Sequence, residues 1–201
     1  MFGKNIIRLN ETDSTNNYAK QLVLSKADEA TVVLAQFQKM GKGQQGNNWE
    51  SEAGKNMLAS IILYPLFLHV GKQFLISKVV SLGLVDFLKT KVKNVAVKWP
   101  NDIYFGNKKI AGILIENQLL GSKLSQSIIG IGLNVNQQEF FSAAPNPISL
   151  KNIFDKDFNL SDMLEGVLEQ INLWYEILQD GWFDKINTAY FSNLYRNSGH
   201  Y

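Results

Sequence analysis

Four stretches of this 201-residue chain set amide, hydroxyl or charged side chains beside glycines at spacings that suit ligand chemistry. The first, Gly41-Lys42-Gly43-Gln44-Gln45-Gly46, satisfies G-x-G-x-x-G but fails the context of a dinucleotide fingerprint. That fingerprint needs a helix opening on the last glycine and an acid about 20 residues on. Here Asn47-Asn48-Trp49 follows, and no Asp or Glu occurs between Glu52 and Asp86. It also lacks the Gly-Lys-Ser/Thr of a phosphate-binding P-loop and the valine that follows a kinase glycine loop. What remains is a loop whose bared backbone N–H groups can wrap an anion. A ligand loop and a plain surface loop stay equally open.

The second stretch, Val97-Lys98-Trp99-Pro100-Asn101-Asp102, is ordinary turn chemistry on its face, with Asn and Asp bonding their own backbone. In the third, Lys109-Ile110-Ala111-Gly112-Ile113-Leu114-Ile115-Glu116, one ammonium opens an apolar strand. Such a lysine commonly snorkels at an edge, but the Ala-Gly pair behind it also lets a ligand approach the backbone. The fourth, Ile129 to Asn136, is an apolar strand carrying Gly130, Gly132, Asn134 and Asn136, open to either a bulge or a site-lining role.

Several chemistries are excluded. With no cysteine there is no thiolate metal site, cysteine nucleophile or disulfide framework, in keeping with a reducing, cytoplasmic setting. His69 and His200 have no partner at metal-ligand spacing. Twenty basic and 18 acidic side chains leave a net charge of +2, without the basic stripe that DNA binding requires. The longest apolar run, Ile61 to Leu68, falls far short of the roughly 20 residues that span a bilayer.

The elements that must position these groups follow from periodicity. Ile6 to Leu9 reads as a strand, and Asp13 to Asn16 as caps for a helix bearing Tyr18, Leu22 and Val23. Thr31–Phe37 and Met57–Leu63 read as strands flanking a long polar loop, Gln38 to Asn56; loops of that length are usually functional or disordered. Gln73–Thr90 reads as a buried helix with Gly83 as a close-packing point. Three antiparallel strands are expected at Val95–Trp99, Lys108–Asn117 and Gln126–Val135. After the break at Pro145 and Pro147, helices are expected from Ser161-Asp162 to about Leu178 and from Trp182 to Tyr195. The expected fold class is α+β, a mixed, largely antiparallel sheet with helices on one side, forming a single domain over residues 1–201.

In this order, Ser14-Thr15-Asn16, the Gly41–Gly46 loop ending in Trp49, Lys98-Trp99-Pro100-Asn101-Asp102, Lys109 with Ala111 to Glu116, and Gly130 to Asn136 resemble the catalytic domain of biotin–protein ligases. The resemblance covers roughly residues 5 to 195 and implies the class II synthetase-like biotin/lipoate ligase fold. It implies joining of biotin to ATP through biotinyl-5′-AMP, with Mg2+, and transfer to a lysine of a biotin carboxyl carrier domain. Lipoate or octanoate transfer, or a catalytically silent biotin binder, are the alternatives.

By the same resemblance, Ser14, Thr15, Asn16, Gln38 and Gly112 bind biotin. Gly41, Lys42, Gly43, Gln44, Gly46, Trp49, Asn101 and Asn134 bind ATP and the adenylate. Lys109 bridges carboxylate and α-phosphate, and Asp102 meets the acceptor lysine. Two departures stand out. The family's loop is usually arginine-rich, whereas only Arg8 and Arg196 occur in this chain and Gln44, Gln45 and Asn47 hold commonly basic positions. Neither the N-terminal helix-turn-helix nor a complete C-terminal β-rich domain is expected, which implies a ligase that does not act on DNA. A homodimer through an exposed strand near Lys123 to Gly132 is a further expectation.

Overall fold

The computed structural model describes residues 2–141 and 146–196. Their elements run β1 (Ile6–Thr12), α1 (Thr15–Leu24), β2 (Val32–Gln38), β3 (Met57–Leu63), α2 (Phe74–Lys89), β4 (Val95–Lys98) and β5 (Asp102–Phe105), then β6 (Lys108–Leu120), β7 (Lys123–Leu133), α3 (Leu150–Phe154), α4 (Leu160–Gln179) and α5 (Phe183–Ser192). One seven-stranded sheet has the order β1-β2-β3-β7-β6-β5-β4. Only β1 and β2 pair in parallel; every other neighbouring pair is antiparallel. The mixed, largely antiparallel sheet expected from the sequence is therefore present.

Strand alternation sorts β3 onto two faces. Met57, Ala59, Ile61 and Leu63 join the main core with α2, α4 and α5, whereas Ile62 joins Val33, Ile128 and Ala19 in a smaller cluster under α1. The three long C-terminal and central helices thus share one face as expected, while α1 alone lies on the other. Gly83 does what its position in a buried helix suggests: a Cβ there would stand 2.8 Å from the Ile171 backbone, so the glycine lets α2 and α4 approach closely.

Several boundaries differ from the sequence expectation. The Pro-Asn-Asp turn leads directly into a fourth antiparallel strand, β5, whose four residues are too short for a periodic signal. The five-residue α3 is set by the Ser149–Asn152 capping box rather than by an apolar stripe. The N-cap of α4 is Asn159, whose side chain accepts from the Ser161 and Asp162 amides, rather than the Ser-Asp pair itself. β7 is bonded to β6 along its length and to β3 from Ser127 to Leu133, and the 68–69 segment bonds Lys123 and Leu124, so most of residues 123–132 is not a free edge. The outermost strands are β1 and β4, and Val97 of β4 is bridged to Leu194. Pro145 and His200 lie outside the described residues.

Candidate active site

The site lies on the α1 face, and strand register builds its floor. One transverse row runs Val33, Ser60, Gly130, Leu114 through β2, β3, β7 and β6. The next runs Leu58, Gly132, Gly112, Asp102, ending on β5. Three glycines on one face leave a shallow trough of bare backbone where larger side chains would fill the space. Above it is a cavity of about 350 Å³ whose walls come from the first turn of α1, the 38–49 loop, the 99–102 turn and Lys109.

The first turn of α1 supplies hydroxyls and an amide. Ser14 has the extended backbone of an N-cap, but its side chain makes no capping bond and lines the cavity instead. The Thr15 N–H donates to Gln38 Oε1 at 2.7 Å, and Thr15 Oγ1 stands 3.0 Å from the same oxygen, tying α1 to the end of β2. Ser60 Oγ lies 2.8 Å from Thr15 Oγ1 and 2.6 Å from Asn16 Oδ1. Asn16 Nδ2 donates to Glu116 Oε2 at 2.9 Å, and Lys20 reaches Glu116 Oε1 at 2.6 Å. Burial raises the Glu116 pKa, yet the bonds from Lys20 and Asn16 outweigh it and hold the carboxyl below its ordinary value.

Across the trough, Lys109 Nζ pairs with Asp102 Oδ1 at 2.7 Å, both side chains about one-fifth exposed. The Lys109 backbone is clamped by Asn146 and Ile148, which fixes where the side chain emerges. Asn101 donates to the Ile113 carbonyl at 2.8 Å and accepts, through its own carbonyl, the Ile113 N–H, pinning the turn to β6.

The loop closes the cavity by bonding to itself. Trp49 N donates to Gly41 O and Gly43 N to Asn47 O, while Lys42 Nζ donates to Asn17 Oδ1 on α1 at 2.8 Å. The Trp49 ring lies on the trough: a Cβ on Gly112 would come within 2.8 Å of it, and one on Gly132 closer still. Its Nε1 is buried with no hydrogen-bond partner among the described residues, and Lys109 Nζ stands 5.5 Å from the ring centre.

Most sequence-derived candidates therefore converge. Ser14, Thr15, Asn16, Gln38, Lys42, Gly43, Gln44, Trp49, Asn101, Asp102, Lys109 and Gly112 all line the cavity. Gly41 and Gly46 shape the loop without lining it, Gly46 through a φ of +80°. Asn134 is not brought to the cavity; buried, it donates to the Ile148 carbonyl and helps hold the segment that clamps Lys109. Sequence reasoning missed Ser60, whose signal was a lone hydroxyl in an otherwise apolar buried strand, and gave Glu116 and Lys20 no role.

The cavity lining holds two cations, Lys42 and Lys109, and one carboxylate, Asp102, which Lys109 engages. Among the described residues no three His, Asp or Glu converge as a metal site. Magnesium that binds a protein usually takes one or two carboxylates plus substrate phosphates. Asp102 is the carboxylate of the cavity lining that would serve such an ion beside the phosphates.

A seven-stranded mixed sheet with a glycine-floored, amide-walled cavity under a glycine-rich loop defines a small-ligand site with an anion-facing lysine. The chain belongs to the biotin/lipoate A/B protein ligase family, whose model matches residues 9–134. It is similar to the biotin protein ligase from Aquifex aeolicus in complex with biotin and ATP, with a TM-score of 0.82, 28% identity, and coverage of 95% of this chain and 78% of that one. It is 33% identical over 139 residues to the bifunctional ligase/repressor BirA of Bacillus spizizenii, covering 69% of this chain and 42% of the relative. It is 35% identical over 130 residues to the biotin–[acetyl-CoA-carboxylase] ligase of Paracoccus denitrificans, covering 63% and 53%. The chain thus spans about half the length, or less, of these curated relatives. No helix among the described residues is long and apolar enough to cross a membrane.

Proposed function

We propose that the chain is the catalytic domain of a biotin–[acetyl-CoA-carboxylase] ligase, which joins biotin to ATP and passes the biotinyl group to a lysine of a biotin carboxyl carrier domain in the cytoplasm. The observation that carries this reading is the placement of Lys109, at the far end of a glycine trough from the Thr15–Asn16–Ser60 cluster. A polar ring seated at that cluster, with its acid chain running along the cavity beside the Trp49 ring that covers Gly112 and Gly132, brings its carboxylate toward the ammonium.

In the first step a carboxylate oxygen of biotin attacks the α-phosphorus of ATP. The new P–O bond forms, the α–β bridging bond breaks, and pyrophosphate leaves. Both reactants are anionic. A cation about 4 Å from each contributes on the order of 4 kcal/mol at an effective dielectric near 20, enough to offset their repulsion. Lys109 is a compact charge with three N–H donors, suited to bridging two oxygens. It exchanges Asp102 for the substrates, which leaves Asp102 as an acceptor at the rim. In the second step the neutral amine of the acceptor lysine attacks the acyl carbon, AMP leaves, and the amine's proton passes to a base. Asp102 holds the position for orienting that amine.

Biotin-dependent ATP–pyrophosphate exchange, run in parallel with lipoate, tests the proposal. Exchange with biotin and not lipoate is expected. Exchange with lipoate alone makes the chain a lipoate ligase, and biotin binding without exchange makes it a binder.

A further inference from the structure

Asn16 and Lys20 lie one helical turn apart on α1, so both face the same point of the sheet. That point is Glu116, which follows Leu114 by two residues on β6 and therefore shares the site face. Each carboxylate oxygen takes one donor: Oε2 accepts from Asn16 Nδ2 and Oε1 from Lys20 Nζ. The remaining amide contacts are Asn16 Nδ2 to Leu114 O at 3.4 Å and Ser60 Oγ to Asn16 Oδ1 at 2.6 Å.

A carboxamide has two ends of nearly identical shape and opposite hydrogen-bonding sense. An ionised carboxylate accepts only, so it admits the NH2 end and rejects the oxygen. Were the Asn16 amide reversed, its Oδ1 would stand against Glu116 Oε2, two acceptors with no proton between them. Ser60 cannot make this choice, because a hydroxyl donates or accepts with equal ease. The polarity of Asn16 is therefore set from the Glu116 side. With both N–H groups directed at Glu116 and Leu114, what Asn16 presents in the cavity wall is the second lone pair of Oδ1, an acceptor.

We propose that Glu116, anchored by Lys20, is a positioning residue that fixes the orientation of the Asn16 carboxamide, so that the cavity selects a ligand head group bearing an N–H, such as a cyclic urea, over a dithiolane. This rests on the biotin reading above and deepens it: Glu116 touches neither substrate, and acts through the residue that does. A buried acceptor left unpaired disfavours a ligand that has no donor to offer, which is why a polar site can discriminate far more strongly than an apolar one of the same shape.

The test measures biotin and lipoate affinities and adenylate formation for the unaltered chain, Glu116→Gln and Lys20→Met. A glutamine cannot offer oxygen to both Asn16 and Lys20, so Glu116→Gln weakens the polarity constraint at constant size, leaving only the longer contact to the Leu114 carbonyl. It is expected to raise the Kd for biotin about tenfold, the loss of one oriented hydrogen bond, with kcat at saturating biotin and KM for ATP within twofold. The biotin-over-lipoate preference is expected to fall by a similar factor. Lys20→Met, at a half-exposed position, is expected to raise the Kd for biotin about threefold, consistent with the small worth of a solvent-exposed ion pair. A role in structure alone would lower kcat, ATP binding and thermal stability together while keeping the preference between ligands, and that pattern overturns the assignment. Wild-type affinities in both variants overturn it too. Absence of biotin binding in the unaltered chain overturns the biotin reading and this assignment with it. Normal binding there, beside an indifferent Glu116→Gln, overturns the assignment alone.

Discussion

The carboxamide of Asn16 rests on the backbone of Gly130, so closely that a Cβ at residue 130 would stand 2.5 Å from Asn16 Oδ1. The contact joins the first turn of α1 to the middle of β7 and puts a polar wall directly on the trough floor. Gly130→Ala is therefore expected to push Asn16 away from Ser60 and Glu116 while leaving the β3–β7 ladder paired, since alanine is compatible with extended backbone. Titration calorimetry should show biotin affinity reduced at least about tenfold, the equivalent of one lost hydrogen bond, with far-UV circular dichroism unchanged. An alanine variant that binds like the parent would show that Asn16 is not held against the floor.

Why the sequence disclosed so much of this, and where it stopped, comes down to range. The strand–cap–helix of β1 and α1, the buried helix α2 and the strands β2 and β3 are written in local periodicity; β2, β3 and α2 appear within a residue of their expected places, and β1 runs three residues past its expected end at Leu9. The site motifs were legible because each is a short run of unusual types: Lys98 to Asp102, Lys109 to Gly112, Gly41 to Trp49. The sequence did not disclose what depends on register between strands distant along the chain. Ser60 meets Gly130 and Leu114 only because β7 lies between β3 and β6, an order no local pattern encodes. Asn134 failed for the same reason in reverse. It sits two residues beyond Gly132 in a motif that lines the cavity, but past the end of β7 its side chain turns to the 146–148 segment.

Lys109→Met retains the aliphatic stem and removes the ammonium. Adenylate formation, read as biotin-dependent pyrophosphate exchange, is expected to fall at least about 100-fold, as the loss of a few kcal/mol of transition-state stabilisation requires. The melting temperature should stay close to the parent's, because Asp102, about one-fifth exposed, retains access to water when its partner is lost. Near-normal exchange in a folded variant would reduce Lys109 to a strand lysine.

Tyr190 shows the opposite of the network at Asn16. Its side chain is 1% exposed and its hydroxyl has no hydrogen-bond partner among the described residues. Burial pushes its pKa from 10.0 up to about 12. An unpaired buried hydroxyl costs about 1–3 kcal/mol, so Tyr190→Phe, which keeps the ring against Phe74, is expected to leave stability unchanged or raise it by about 1 kcal/mol. The pH dependence has a definite sign. The unfolded chain releases the phenolic proton near pH 10 and the folded chain near pH 12, so the parent loses stability between those values and the phenylalanine variant lacks that contribution. Urea midpoints at pH 8 and pH 11 decide it: a stability difference between the two proteins that does not grow in favour of Phe at the higher pH would count against the burial of this group.

The loop is where this chain departs most from what it resembles. Ordering a glycine-rich segment costs about 1–2 kcal/mol of backbone entropy per residue, and charge-assisted bonds to a phosphate, at about 1.5–3 kcal/mol each, offset that cost. Here Lys42 is the only cation between Gly41 and Trp49, and it is already bonded to Asn17 Oδ1 at 2.8 Å. Under the proposed function, holding a bound adenylate would fall largely to backbone N–H groups and to neutral amides such as Gln44 and Asn47, which line the cavity. Gln44 begins the short 3-10 turn on the cavity side, so an arginine there reaches the same space with a fixed charge and a forked donor set. Gln44→Arg is expected to slow release of biotinyl-5′-AMP about tenfold if one such bond forms, since each 1.4 kcal/mol is about a factor of ten. Stopped-flow dissociation of preformed adenylate from the two proteins measures this directly. Equal rates, or faster release from the arginine variant, would mean that the loop's own N–H groups already supply the retention and that a cation at residue 44 adds nothing to it.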